Sequence, residues 1–187
     1  MPAIPDLHPP LSDGDVSVRL YAEQDIPEIL IAYQDDPELH VRFGFDRPPS
    51  GAQLGTQSEV APAERAAGER LRLTIVETGS EVCRGRISVH HFDWDHRRAE
   101  IGVWLAPQVR GRGWAPRALR LAAVWLFDTC GIERLELLTT PDNEAMLRAA
   151  TAAGFTREGV LRGYVRYRRR RQDLVVLSLL PSDLERA

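Results

Sequence analysis

Apolar and polar residues alternate from Val16 to Tyr21, the period of a half-buried strand. The pattern then changes, and Ile26, Ile29, Leu30 and Tyr33 recur at helical spacing across Glu23 to Tyr33. A second short helix is expected after Pro37. From Asp46 to Gly68, three prolines, three glycines and few large apolar residues predict a loop with a helical portion near Ala61 to Ala67. Leu71 to Glu77, Val82 to Phe92 and Arg98 to Leu105 are rich in β-branched or alternating apolar residues. With Thr78-Gly79-Ser80 and Asp93-Trp94-Asp95-His96 as turns, they predict an antiparallel meander. Beyond Pro107, Ala115, Leu119, Ala122, Ala123, Leu126 and Phe127 mark one face of a helix ending near Gly131. Leu135 to Thr140 reads as a strand and Asn143 to Ala153 as a helix stopped by Gly154. Phe155 to Val165 and Leu174 to Leu180 close the chain as a strand pair around an arginine-rich turn. The predicted order is β-α-α-β-β-β-α-β-α-β-β.

The 187 residues, 43% of them hydrophobic, suit one domain with a sizeable core, residues 1–187, in which 1–14 form a loose arm. No apolar run reaches the ~18 residues needed to span a bilayer, and Met1 to Pro10 carries four prolines and no hydrophobic signal core. A cytoplasmic protein without a membrane partner is expected. Cys83 and Cys130 match neither a disulfide framework nor a zinc site and read as free thiols. His8, His40 and His96 are scattered and do not form a ligand set with carboxylates, so no metal is expected. The net charge of −3 hides an asymmetry: residues 1–95 hold 8 arginines against 17 acidic residues, and residues 96–187 hold 16 against 10. The C-terminal half favours an anion.

Gln108-Val109-Arg110-Gly111-Arg112-Gly113-Trp114-Ala115 lies between a strand and a long helix, a place suited to phosphate. Unpaired N–H groups point outward at a helix N-terminus, glycines allow close approach of a ligand, and the helix dipole favours negative charge. Arg110 and Arg112 add charge. A Walker A loop is excluded because the chain has no lysine, and a dinucleotide fingerprint because Pro116 stands where its third glycine belongs.

Several separated pieces carry a family resemblance: Ala99-Glu100-Ile101-Gly102-Val103-Trp104-Leu105 followed by Gln108-x-x-Gly111-x-Gly113; Asn143-Glu144-Ala145-Met146; Ala153-Gly154-Phe155; Glu158-Gly159-Val160-Leu161-Arg162; and Asp173 to Leu180. Over residues 16–181 the chain resembles the GNAT superfamily of acyl-CoA-dependent acyltransferases, especially its RimJ and RimL-like ribosomal-protein N-acetyltransferases. The resemblance implies an α/β (α+β) fold: a mixed, mostly antiparallel sheet of about seven strands, splayed between the fourth and fifth and flanked by about four helices. It implies acetyl-CoA, or another acyl-CoA, as co-substrate, with the diphosphate on the amides from Val109 to Trp114 and Ala115 opening the helix. The pantetheine pairs with the backbone of Val103, Trp104 and Leu105 and reaches Asn143 and Met146. The acceptor is an amine: a protein N-terminus, a peptide or a small molecule.

The same resemblance makes Glu100 the base that frees the amine of its proton, against the alternative of a strand glutamate paired with an arginine. It also places a serine, which assists the thiolate, where this chain has Met146. Methionine donates no proton, so Tyr164, Tyr167 or water is left to do so, with packing as the other reading of either tyrosine. Arg117 stands where the family commonly has a glutamate, and the CoA phosphates are its expected partner.

His90 and His91, on a predicted strand, should point to opposite faces, one of them toward the substrate channel or simply to the surface. Arg166 and Arg168 to Arg171, interleaved with Tyr167, read either as a solvated hairpin or as a patch for RNA or the ribosome. Two further functions stay open: a CoA-binding regulatory module without turnover, and an RNA-associated protein using the arginine hairpin. The sequence is compatible with a homodimer and does not specify the acceptor.

Overall fold

The computed structural model describes residues 2–42 and 45–184. A sheet of eight strands organises the chain: β1 (Leu11–Asp13), β2 (Val16–Leu20), β3 (Leu71–Glu77), β4 (Cys83–Asp93), β5 (Arg98–Leu105), β6 (Arg134–Thr139), β7 (Thr156–Tyr167) and β8 (Arg170–Leu179). Their spatial order is β1-β2-β3-β4-β5-β6-β8-β7, antiparallel except for the parallel pair β5–β6. Helices α1 (Ile26–Asp35), α2 (Leu39–Arg42) and α3 (Gly51–Ala66) precede β3; α4 (Trp114–Asp128) joins β5 to β6, α5 (Glu144–Ala152) joins β6 to β7, and α6 (Pro181–Leu184) follows β8. The parallel crossover through α4 is what a helix between parallel neighbours requires.

Strand alternation decides the two faces. Ala99, Ile101, Val103 and Leu105 of β5 are buried with Ile87 and Val89 of β4 beneath α4, whose Ala118, Leu119, Ala122, Ala123 and Leu126 are also buried. Small residues along that helix face let it sit close to the sheet. The opposite face carries polar residues under α1 and α3, which pack on β4 and β3.

The helical portion expected near Ala61 to Ala67 is the end of the sixteen-residue helix α3, and the loop expected before it is corrected to helix from Gly51 on. Ser50 caps it: its Oγ accepts from the Gln53 N–H at 3.3 Å, and the Gln53 side chain accepts from the Ser50 N–H at 2.8 Å. Pro48 and Pro49 lie ahead of the cap, and α3 buries only Leu54 fully, so it needs little apolar content. Residues 1–14, expected as a loose arm, put Ile4 and Leu7 into the core and add β1. That strand, α3 and α6 account for the excess over about seven strands and four helices. Among the described residues, no helix is long and apolar enough to cross a membrane.

Candidate active site

Strands β5 and β6 pair only through Arg98↔Arg134, Ala99↔Leu135 and Glu100↔Glu136. Beyond Glu100, β6 turns to β8 while β5 continues to Leu105 beside β4 alone. The sheet therefore forks at Glu100, leaving one edge of Ile101 to Leu105 without a strand neighbour among the described residues. This is the expected splay, between the fifth and sixth strands once β1 is counted. An exposed edge of N–H and C=O groups accepts an extended ligand as an added strand. Val103 and Leu105 turn their side chains into the core, and Trp104 turns toward α1, its ring 6.1 Å from that of Tyr33.

At the wide end of the fork, Gly111 and Gly113 both have φ +75°, a left-handed conformation that glycine adopts without strain. A Cβ on either would meet no atom within 4 Å, so both lie against open ground in front of the α4 N-terminus. Gly113 caps α4 without a side-chain hydrogen bond, leaving the N–H groups of the first turn for a ligand. Val109 (4% exposed) and Trp114 (2%) anchor the loop from behind, the indole donating to Asp15 Oδ2 at 3.1 Å. Ala115 is half-buried in the first turn.

Two arginines there are otherwise engaged. Arg110 donates to the Leu105 carbonyl at 2.9 Å and pairs with Asp36 at 2.7 Å, bracing the loop against the end of α1. Arg117, expected to meet phosphate, pairs instead with Asp13 at 3.0 Å and Asp15 at 2.5 Å and ties α4 to the β1–β2 turn. Arg112 is exposed and has no partner among the described residues.

Glu100 shares a cleft of about 230 Å³ with His91, Arg98, Ala99, Glu136 and Tyr164. The two carboxylates, partners in strand register, differ in environment. Glu136 binds Arg134 at 2.9 Å and Arg98 at 3.6 Å. Glu100 has no arginine partner among the described residues and faces imidazoles: His91 Nδ1 at 3.0 Å and His90 Nε2 at 4.0 Å. The expectation that His90 and His91 face opposite sides is corrected by a bulge between His90 and Asp93, where His91 takes φ +52°. Burial pulls the His90 imidazole below its ordinary value, so it is neutral at pH 7; its Nδ1 is buried without a partner. The ligating atoms of these three side chains lie within 4.8 Å of one another, a grouping of possible metal ligands that the scattered histidines of the sequence did not suggest.

Tyr164, on β7 and 55% exposed, reaches this cleft, whereas the Tyr167 hydroxyl is buried without a partner. Asn143 caps α5, its Oδ1 accepting from the Met146 N–H at 3.3 Å and its Nδ2 donating to Thr139 Oγ1 at 3.0 Å. Met146 packs against the main core. Glu158 has a structural engagement: Arg134 and Ser178 bind it at 2.6 Å each and hold it at about 2, Arg134 being the larger cause.

Sequence reasoning missed the charge on the polar sheet face. Register aligns Thr74, Arg86 and Trp104 in one row and Arg72, Ser88 and Gly102 in the next, followed by His90 and Glu100. Tyr21 lies beside Arg72, its N–H donating to the Arg72 carbonyl at 3.1 Å. Burial, and after it the charge of Arg86, pulls Arg72 down to about 10.

The model of the acetyltransferase (GNAT) domain matches residues 15–156. A putative ribosomal N-acetyltransferase of Bacillus subtilis (strain 168), YdaF, is 27% identical over 177 residues, 91% of this chain and 93% of its own. Mycobacterium smegmatis RimJ in complex with CoA-disulfide has the same fold, with a TM-score of 0.83 at 22% identity over 94% of this chain and 87% of its own. So does spermidine N-acetyltransferase from Vibrio cholerae in complex with CoA and spermine, with a TM-score of 0.77 at 18% identity over 91% of this chain and 98% of its own. Domain match, forked sheet and glycine-capped helix agree: the chain belongs to the GNAT acetyltransferase family and is an acyltransferase.

Proposed function

We propose that the protein transfers an acetyl group from acetyl-CoA to an amine by direct attack, with Glu100 as the base. The observation that carries this reading is the contrast at the fork: Glu136 is neutralised by two arginines, and Glu100, one strand away, is held between imidazoles facing a cleft. A carboxylate with no guanidinium partner keeps its lone pairs for an incoming ammonium, directly or through one water.

Acetyl-CoA supplies the activated acyl group. The N–H groups from Gly111 to Trp114, with the Arg112 side chain, hold its diphosphate, those of Val109 and Arg110 being taken by the Ala106 and Pro107 carbonyls; the free edge from Val103 to Leu105 takes the pantetheine. Asn143 lies on the far side of the fork, its Nδ2 satisfied by Thr139 and its Oδ1 by the α5 cap, and it fixes the α5 end of that slot. In this reading the thioester points along the slot toward the fork vertex and Glu100, and a backbone N–H on the free edge of β5 polarises its carbonyl. Tyr164, in the Glu100 cleft, supplies the proton that Met146 cannot give to the leaving thiolate. The acceptor is a protein N-terminus, a peptide or a small amine.

The test is CoA thiol release from acetyl-CoA with a panel of amines and N-terminal peptides. Turnover that depends on both substrates is expected; CoA binding without turnover on any amine would make the chain a regulatory CoA-binding module instead.

A further inference from the structure

Two residues adjacent in sequence reach the same carboxylate. A regular strand sends neighbours to opposite faces, and the bulge after His90, with His91 at φ +52°, cancels that alternation. The two imidazoles lie edge to face with their centroids 4.5 Å apart. His91 Nδ1 is 3.0 Å from Glu100 Oε2, and His90 Nε2 is 4.0 Å from Glu100 Oε1. The second distance is too long for a hydrogen bond, and the other nitrogen of His90 is buried without a partner among the described residues.

Two imidazoles and a carboxylate are a donor set for a transition-metal ion. Zinc bonds nitrogen and carboxylate oxygen at about 2.0–2.2 Å, which puts two ligand atoms of a tetrahedral site about 3.3 Å apart. The separations of 3.0 and 4.0 Å bracket that value, and one atom from each of the three side chains falls within 4.8 Å of the others. The His91 side chain is 76% exposed and has room to close the remaining distance. A hydrogen on Nδ1 of its neutral ring passes to the other ring nitrogen, so coordination needs no separate base.

The surrounding charges leave Glu100 available to a cation. Arg98, which lines the same cleft, is paired with Asp93 at 3.2 Å and Glu136 at 3.6 Å. Arg70, whose charge reaches His90, lies 3.9 Å from Glu64.

We propose that His90, His91 and Glu100 form a site for a divalent transition-metal ion of the zinc class, and that occupying it withdraws Glu100 from deprotonation of the amine. Three protein ligands leave the fourth position of a tetrahedral ion open to the cleft of about 230 Å³ that Tyr164 and Glu136 also line. Magnesium and calcium, which take oxygen ligands, are poor occupants. An ion on Glu100 engages the lone pairs that would receive the ammonium proton, and its charge repels the ammonium. This consequence rests on the reading of Glu100 as the base; the site itself does not.

The experiment titrates the protein, stripped with EDTA and returned to chelator-free buffer, with zinc chloride by calorimetry. Expected is one zinc ion per chain at this site. His91→Gly, which keeps the left-handed backbone, and His90→Gln should each weaken binding at least tenfold. His96→Ala, which removes the neighbouring pair with Asp93, and an excess of magnesium chloride should leave it unchanged. Zinc should stop acetyl transfer over the concentration range in which it binds, EDTA should restore the rate, and His91→Gly should need at least tenfold more zinc for the same fractional inhibition. Acetylated amine is counted by mass spectrometry, since zinc also binds free CoA thiol. Absence of zinc binding, binding that survives in folded His91→Gly and His90→Gln, or binding lost in His96→Ala overturns the site. Zinc bound at these residues while transfer continues at full rate overturns its effect on Glu100. A chain that acetylates no amine fails the proposed function, and calorimetry still decides the site.

Discussion

His91 Nδ1 lies 3.0 Å from Glu100 Oε2, although an unbroken strand would send the two side chains to opposite faces. His90 is the register partner of Glu100, and the bulge that follows it turns His91 back onto the same carboxylate. The left-handed φ of +52° at His91 is a conformation that costs a non-glycine residue energy, held here beside the fork. The strand is bent where the carboxylate has to be oriented.

If Glu100 takes the proton, Glu100→Gln leaves CoA affinity unchanged and lowers kcat by roughly 10²-fold or more. The deficit shrinks as pH approaches the pKa of the acceptor amine, because the free amine then needs no base. Steady-state rates over a pH series check this, and full activity in the folded variant at every pH would make Glu100 structural. His91→Gly keeps the backbone conformation and deletes the imidazole. It should lower kcat/KM about tenfold, the low end of general acid–base effects, with an unchanged or higher melting temperature.

Gly113→Asp puts a carboxylate into the open ground before α4 and a side chain on a left-handed residue. CoA affinity should fall at least tenfold, which is about 1.4 kcal/mol. Gly113→Asn tolerates the same φ without the charge and should lose distinctly less. Calorimetry that finds both variants equal to wild type would remove the diphosphate from this loop.

Arg117 joins α4 to Asp13 and Asp15, and these contacts give it a structural role. Arg117→Gln should lower the melting temperature by a few degrees without changing CoA affinity. A tenfold loss of CoA affinity with unchanged melting would restore the phosphate contact expected from the sequence.

Glu158 is held at about 2 by Arg134 and Ser178, below its ordinary value of 4.5. The depressed value makes its contribution to stability complete above the unfolded-state value and lost as pH falls through the folded one, between about 4.5 and 2. The pair is part-exposed, so the contribution is on the order of 1 kcal/mol. Glu158→Gln should therefore be less stable than wild type at pH 7, with the gap closing by pH 2, as urea titrations at the two pH values would show.

Strands β2 to β6, β8 and α4 were legible because each must bury a face, and burial writes a period of two or 3.6 into the chain. The glycine loop was legible because a helix N-terminus open to phosphate needs residues without side chains. The first ten residues of α3 were not, since they bury little beyond Leu54 and the capping pair, Ser50 and Gln53, lay inside a stretch dominated by proline and glycine. Arg117 carried no mark of its partners, because Asp13 and Asp15 are about a hundred residues away and meet it only when β1 pairs with β2. The same holds at the candidate site. The resemblance marked Glu100 as a candidate base on a strand; the point where β5 and β6 part gave it a cleft, register set His90 beside it, and the bulge turned His91 onto the same carboxylate. Local composition fixes which segments hide a face from water, and only the pairing of distant strands decides which charges stand without a partner.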